Sequence, residues 1–262
     1  GTYSEINTVY TSSGIDGLGD EAITASGTLT VAQANTLDGY TTGVVTATIS
    51  DTTSTTLASL TDTGNAYTNT VGSTIAAAAD LNTIDAATTV SVRATAVTTL
   101  TGTAAAANTA YASSGITGLG NEAITLSDTT LATTVLNTLD GNTTGVVNAA
   151  TITTLTGTAA TANTAYASSG ITGLGNEAVT LSETSLASSV LNTLDGNTTG
   201  AVNAATVLNL TGTITTINTA YASSGIIGLG NESVTLTDTS LAADALNTVS
   251  YTHLRAHETC GH

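Results

Sequence analysis

Phenylalanine, tryptophan, methionine, proline and lysine are all missing from this chain of 262 residues. Aromatics amount to 3%, all of them tyrosine, and charged residues to 8%, against roughly 25% charged in ordinary soluble domains. A large single core would lack the side chains that bury most area. Only Ala, Val, Leu and Ile remain to fill one, and such a thin core suits an array whose units pack on their neighbours. No run of 18 apolar residues occurs, which excludes a transmembrane helix. Positive charge is nearly absent, and the formal net charge is -17. That sign repels nucleic acid and anionic membrane surfaces and attracts cations. With neither an initiator methionine nor a signal peptide, the chain reads as an internal piece of a longer protein.

What is abundant is threonine, about a quarter of the residues, and repetition. The stretch Asn108–Ser127 recurs nearly verbatim from Asn163 to Ser182, and again from Asn218 to Thr237. Tyr111, Tyr166 and Tyr221 mark a 55-residue step, and a divergent copy starts at Tyr10. Self-similarity of this kind signals a repeat architecture. Each unit divides into two halves, and each half holds a short β-favouring stretch, a polar turn, an Ala/Leu-rich stretch and a glycine.

The β-favouring stretches are 22–24, 44–49, 90–92, 123–126, 146–148, 178–181, 201–203 and 233–236, dominated by β-branched residues. Between them, 130–139 carries Leu131, Val135, Leu136 and Leu139 on one helical face, and Ile214, Ile217 and Tyr221 fall at i, i+3 and i+7. Asp128 and Thr129 stand at one expected N-cap and Gly141 at its C-cap, with Thr158 and Gly170 in the other half. Strand spacings alternate at roughly 22 and 33 residues. Strand, helix, strand at such spacing predicts parallel strands with helical returns. The fold expected over residues 1–248 is therefore an α/β repeat solenoid of alternating short parallel strands and helices. An all-β solenoid or a β-sandwich array is the alternative.

After Thr248 the repeat breaks. Residues 249–262 resemble the translated read-through of a sequencing adapter, and a non-native tail is expected there. His253, His257, Cys260 and His262 have the look of a zinc ligand set, but they fall wholly within that tail, together with Arg255.

Outside the tail there is no histidine or cysteine, and Arg93 is the one cation. Serine then has no base to activate it, so no catalytic residues are assigned and no enzyme is expected. The carboxylates recur instead of standing alone: Glu122, Glu177 and Glu232; Asp128, Glu183 and Asp238; Asp140 and Asp195. Two loops repeat with them, Gly118-Leu-Gly-Asn-Glu122 and Asp140-Gly-Asn-Thr-Thr-Gly145. Their oxygen-rich chemistry suits calcium, and the turn chemistry of Gly, Asn and Asp accounts for them without it. No metal ligands or cofactor are assigned, with Ca2+ the one cation the loops would take. Tyr111, Tyr166 and Tyr221 are expected at the edge of a thin core. Ranks of threonine raise an ice-binding surface as a further alternative, and the carboxylates a polysaccharide-active one.

The phrases Leu-Thr-Gly-Thr at Leu100, Leu155 and Leu210, with Leu-Asn-Thr-Leu-Asp-Gly and Thr-Thr-Gly-Val-Val, resemble repeats of very large secreted surface proteins of marine bacteria, cyanobacteria especially. The resemblance implies export to the cell surface and a role as stalk, spacer, coat or adhesin. Its implied partners are cell-surface polysaccharide or neighbouring repeats.

Overall fold

A computed structural model describes residues 1–240; the segment 249–262, with its histidines and Cys260, lies outside the described residues. Short parallel strands alternate with helices of four to ten residues. The architecture is α/β, and no sheet among the described residues closes into a barrel. Two compact bodies are distinguished, one formed by residues 1–127 with 141–147, the other by 128–140 with those from 148 onward.

In the first body, Ile23–Leu29, Val45–Ile49 and Ala66–Thr68 form a parallel sheet. Ile75–Ala77, Thr99–Gly102 and Ala123–Leu126 form another, with Ala76, Leu100 and Ile124 side by side. In the second body, Leu131, Leu155 and Val179 align in the same way and the ladder runs on through Val202 and Ile226. A further ladder aligns Leu186, Leu210 and Val234.

The step between aligned strands is therefore 24 residues nearly everywhere. It differs from the alternating 22 and 33 expected. That expectation missed strands such as Thr154–Gly157, whose Leu-Thr-Gly-Thr phrase reads locally as a helix entry. Two 24-residue steps fall seven residues short of the 55-residue sequence period. Those seven residues carry the chain from one ladder to another, as from Val179 to Leu186. Leu100, Leu155 and Leu210, equivalent in sequence, consequently lie in three different sheets.

The helices form for local reasons. Thr103, Thr158 and Thr213 each accept the N–H three residues on, at 3.2, 3.1 and 3.3 Å, satisfying a donor the helix start leaves open. The inward face falls at i, i+3, i+6: Ala159, Ala162 and Ala165 in Ala159–Ala167, and Ser188, Leu191 and Leu194 in Ser188–Asn197. Small residues let the helix lie close to the strands beneath. Thr158 caps as expected. The other cap assignments need correction. Residues 130–132 are strand and the helix is Thr133–Asn142, so Asp128 and Thr129 precede a strand and Gly141 sits inside the helix. The next helix ends at Ala167 with Ser168 as cap, so Gly170 lies beyond it. Thr-rich sequence hides such boundaries because threonine serves strand and cap alike.

Candidate functional site

The repeated carboxylates are the only chemistry that the sequence singles out within the described residues, and the structure places them in three recurrent settings. The first joins a helix to the following loop. Tyr166, near the end of Ala159–Ala167, donates its hydroxyl to Glu177 Oε2 at 3.0 Å, and the Gly175 N–H donates to the same oxygen at 2.8 Å. Tyr111 and the Gly120 N–H hold Glu122 Oε2 at 2.9 and 2.8 Å. Tyr221 donates to Oε1 of Glu232, and the Gly230 N–H donates to its Oε2 at 2.8 Å. All three glutamates are buried, at 0, 0 and 1% exposure. Burial holds the Tyr166 phenol proton well above its ordinary range, and the charge on Glu177 acts the same way.

The glutamate's backbone is clamped as well. Thr198 Oγ1 donates to the Glu177 carbonyl at 2.7 Å and accepts the Gly200 N–H at 3.0 Å. A β-carbon on Gly200 would lie 2.2 Å from that carbonyl oxygen, so only glycine fits. Gly173 has φ +86°, and a β-carbon there would lie 2.7 Å from the Ala150 backbone nitrogen. In the two recurring loops, Gly118 and Gly145 are likewise set by close backbone approach, whereas Gly120 is set by its φ of +135°.

The second setting ties one rung to another across 28 residues. Ser168 Oγ donates to Asp140 Oδ2 at 2.6 Å, Ser223 to Asp195 at 2.7 Å, and Ser113 to Asp85 at 2.6 Å. In the divergent copy the donor to Asp38 is Asn65, 27 residues on, at 2.7 Å. The third setting caps a helix from outside it. Glu183 accepts the Ala159 N–H at 2.7 Å, and Asp238 accepts the Ile214 N–H at 2.8 Å. In each case the carboxylate comes from 24 residues along, and it meets the partial positive end of the helix.

Sequence reasoning missed the serines and loop amides that hold these carboxylates. Their signal was the constant offset of 28 between Asp and Ser, and of 11 between Tyr and Glu, inside a repeat that obscures any single offset. Tyrosines 111, 166 and 221 are half-buried as expected of a core edge, with the Glu bond as their added role. Arg93 Nε donates to Thr95 Oγ1 at 3.2 Å. Among the described residues no three His, Cys, Asp or Glu side chains stand together as metal ligands, and no helix is long and apolar enough to cross a membrane.

Several buried polar atoms stay outside this scheme, Glu183 Oε2 and both amide atoms of Asn69 among them. Oε1 of Glu122 and of Glu177 is buried with no hydrogen-bond partner. So is the hydroxyl of Tyr67, which is 1% exposed. Compared with known proteins, the chain matches no family model, no curated protein and no solved structure.

Proposed function

We propose that this chain is a structural repeat region of a secreted surface protein, serving as stalk, spacer or adhesin shaft. In this reading its strand–helix rungs stack as an elongated α/β solenoid. The observation that carries the reading is that the recurrent carboxylates Glu122, Glu177, Glu232, Asp140, Asp195, Glu183 and Asp238 each hold a group of the chain's own rungs. Glu177 ties a loop, Asp140 ties two rungs and Glu183 caps a helix. A repeat whose polar groups are used this way gains length per unit without gaining a reactive centre. The 24-residue register and the phrase-level resemblance to surface-protein repeats support the same conclusion. Small-angle scattering on chains with one, two and three added 55-residue units tests it: the maximum dimension rises by an equal increment per unit. A constant compact profile overturns it.

A second reading is a calcium-dependent module that contacts surface polysaccharide. It draws on the buried, unpartnered Oε1 of Glu122 and Glu177, which a hard cation could use. A melting temperature that rises with calcium and returns with chelator supports it. An unchanged melting temperature removes it.

A further inference from the structure

A rung inside the first body differs from the later ones where a loop enters its strand. Val202 follows Thr198-Thr-Gly-Ala201 and lies beside Ile226. Val45 follows Thr41-Thr-Gly-Val44, and the register that sets Thr46 beside Ala66 puts Val45 opposite Asn65. Asn65 therefore stands at the position of Ile226, and Gly64 at that of Gly225. In the later rung the Asp195 carboxylate fills the space over the glycine: a β-carbon on Gly225 would lie 2.2 Å from Asp195 Oδ1. Asp140 lies over Gly170 in the same way, at 2.2 Å. A β-carbon on Gly64 would meet nothing within 4 Å.

The space opened there is a pocket of about 250 Å³, lined by Asp38, Thr42, Asp62, Thr63, Gly64 and Asn65 among others. Asn65 is 3% exposed and shapes it with both ends of its amide. Its Oδ1 accepts the Val45 N–H at 2.7 Å, and its Nδ2 donates to Asp38 Oδ1 at 2.7 Å. Oδ2 of Asp38 is met by the Thr61 hydroxyl at 3.5 Å. Asp38 ends the helix Val31–Asp38, so the partial negative end of that helix adds to its charge. Asp62 is exposed, and its Oδ1 accepts the Thr63 N–H at 2.7 Å. Behind these groups stands Tyr67, two residues on from Asn65 and buried on the same face of its strand. It is 1% exposed, and its hydroxyl has no hydrogen-bond partner. Burial is the first cause that holds its phenol proton far above the ordinary range, and the charges of Asp38 and Asp62 follow. The ring therefore runs toward the two carboxylates of the pocket.

We propose that this pocket binds one hydrated calcium ion, held by Asp38 and Asp62, with a calcium-bound water reaching the Tyr67 hydroxyl. The walls offer carboxylate, hydroxyl and backbone oxygens, the donor set of a hard cation. None of the lining residues is aromatic, so no flat face is offered to a guanidinium. Asp62 and Thr63 lie on an exposed loop, which suits the irregular coordination of calcium better than the strict octahedron of magnesium. Two carboxylates place the site in the weak class of extracellular modules, with Kd on the order of 10⁻⁴–10⁻³ M. A cation bound there also relieves the repulsion between the two carboxylates and gives the buried phenol a partner.

The site is separate from the buried Glu122 and Glu177, and substitution keeps the two apart. The full chain is titrated with calcium in a calorimeter beside Asp62→Asn, Asp16→Asn and Tyr67→Phe, with the calcium-induced rise in melting temperature as a second readout. Asp62 and Asp16 are both exposed, so each asparagine removes one surface charge and leaves the packing alone. The parent binds calcium, Asp62→Asn binds it roughly tenfold more weakly or worse, and Asp16→Asn matches the parent. Tyr67→Phe binds it about fivefold more weakly, since the hydroxyl no longer holds the bound water. Equal affinity in Asp62→Asn overturns the proposal, because the cation is then held elsewhere, as at the buried glutamates. A parent chain that binds no calcium at millimolar concentration overturns it as well. Equal affinity in Tyr67→Phe overturns the part given to the hydroxyl.

Discussion

The Tyr–Glu pair sets the terms at the scale of single residues. Glu177 Oε2 gathers a phenol and a backbone amide in a site with no water access. Bonds to a charged acceptor contribute more than neutral ones, and stranding buried donors costs about 1–3 kcal/mol. Glu177→Gln therefore lowers stability by roughly 2 kcal/mol, and Tyr166→Phe by about 1 kcal/mol, as read from denaturant midpoints at unchanged slope. Tyr67 runs the other way. Its hydroxyl is buried without a partner, and burial, with the charges of Asp38 and Asp62 behind it, pushes the phenol proton far above its ordinary range. Removing an unpaired buried hydroxyl relieves a desolvation cost, so Tyr67→Phe raises stability by about 1 kcal/mol. A destabilised Tyr67→Phe variant would show that the hydroxyl has a partner in solution.

The divergent first copy adds a pH dependence. The N–H of Gly19 leads the groups that hold the Glu21 carboxyl below the usual carboxylate range, and the Tyr10 hydroxyl assists. A depressed folded value means stability is present above the unfolded value, near 4.3, and is lost as pH falls through the folded one. The melting temperature therefore declines below about pH 4.3, and Glu21→Gln flattens that decline. A slope identical in the variant rules the carboxyl out as a contributor.

Elements in this chain are held by their neighbours more than by themselves. Threonine-rich helices of nine or ten residues are intrinsically weak, and each borrows a partner from the following rung. Glu183 reaches the N-terminus of Ala159–Ala167, and Asn192 Nδ2 bonds the Thr216 carbonyl at 2.8 Å. Ser188 and Thr133, buried at 0% exposure, pair with Thr216 and Thr161 at 2.7 and 2.6 Å. Glu183→Gln removes the charge from the helix end and costs roughly 0.5–1 kcal/mol. The same dependence limits what the sequence discloses. Strands with three or four β-favouring residues, such as Ala123–Leu126 and Ala178–Leu181, were legible to the residue. Thr154–Gly157 and Thr130–Ala132 were not. Their strand state comes from pairing with a residue 24 positions away, which no local propensity records. The carboxylates were legible as repeated, but their partners lie 11, 24 or 28 residues off, so the role of each emerged only from the fold.

Two periods coexist in the later rungs, 24 residues for strand pairing and 55 for side-chain identity, and deletion separates them. Removing residues 155–209 joins Thr154 to Leu210 and restores every cross-rung pair with an equivalent residue. Asp140 meets Ser223 in place of Ser168, Thr133 meets Thr216 in place of Thr161, and Leu131 meets Leu210 in place of Leu155. Removing residues 155–178 keeps the pairing step but shifts identities: Asp140 then falls opposite Asn192 and Thr133 opposite Ser185. Buried groups that lose their partners cost about 1–3 kcal/mol each, and 1 kcal/mol moves the melting temperature of a chain this size by roughly 2–4 °C. The 55-residue deletion therefore melts cooperatively within a few degrees of the parent. The 24-residue deletion, although smaller, melts at least 5 °C lower. If the two deletions melt alike, backbone register alone holds the rungs, and the repeated ties between side chains contribute nothing to their order.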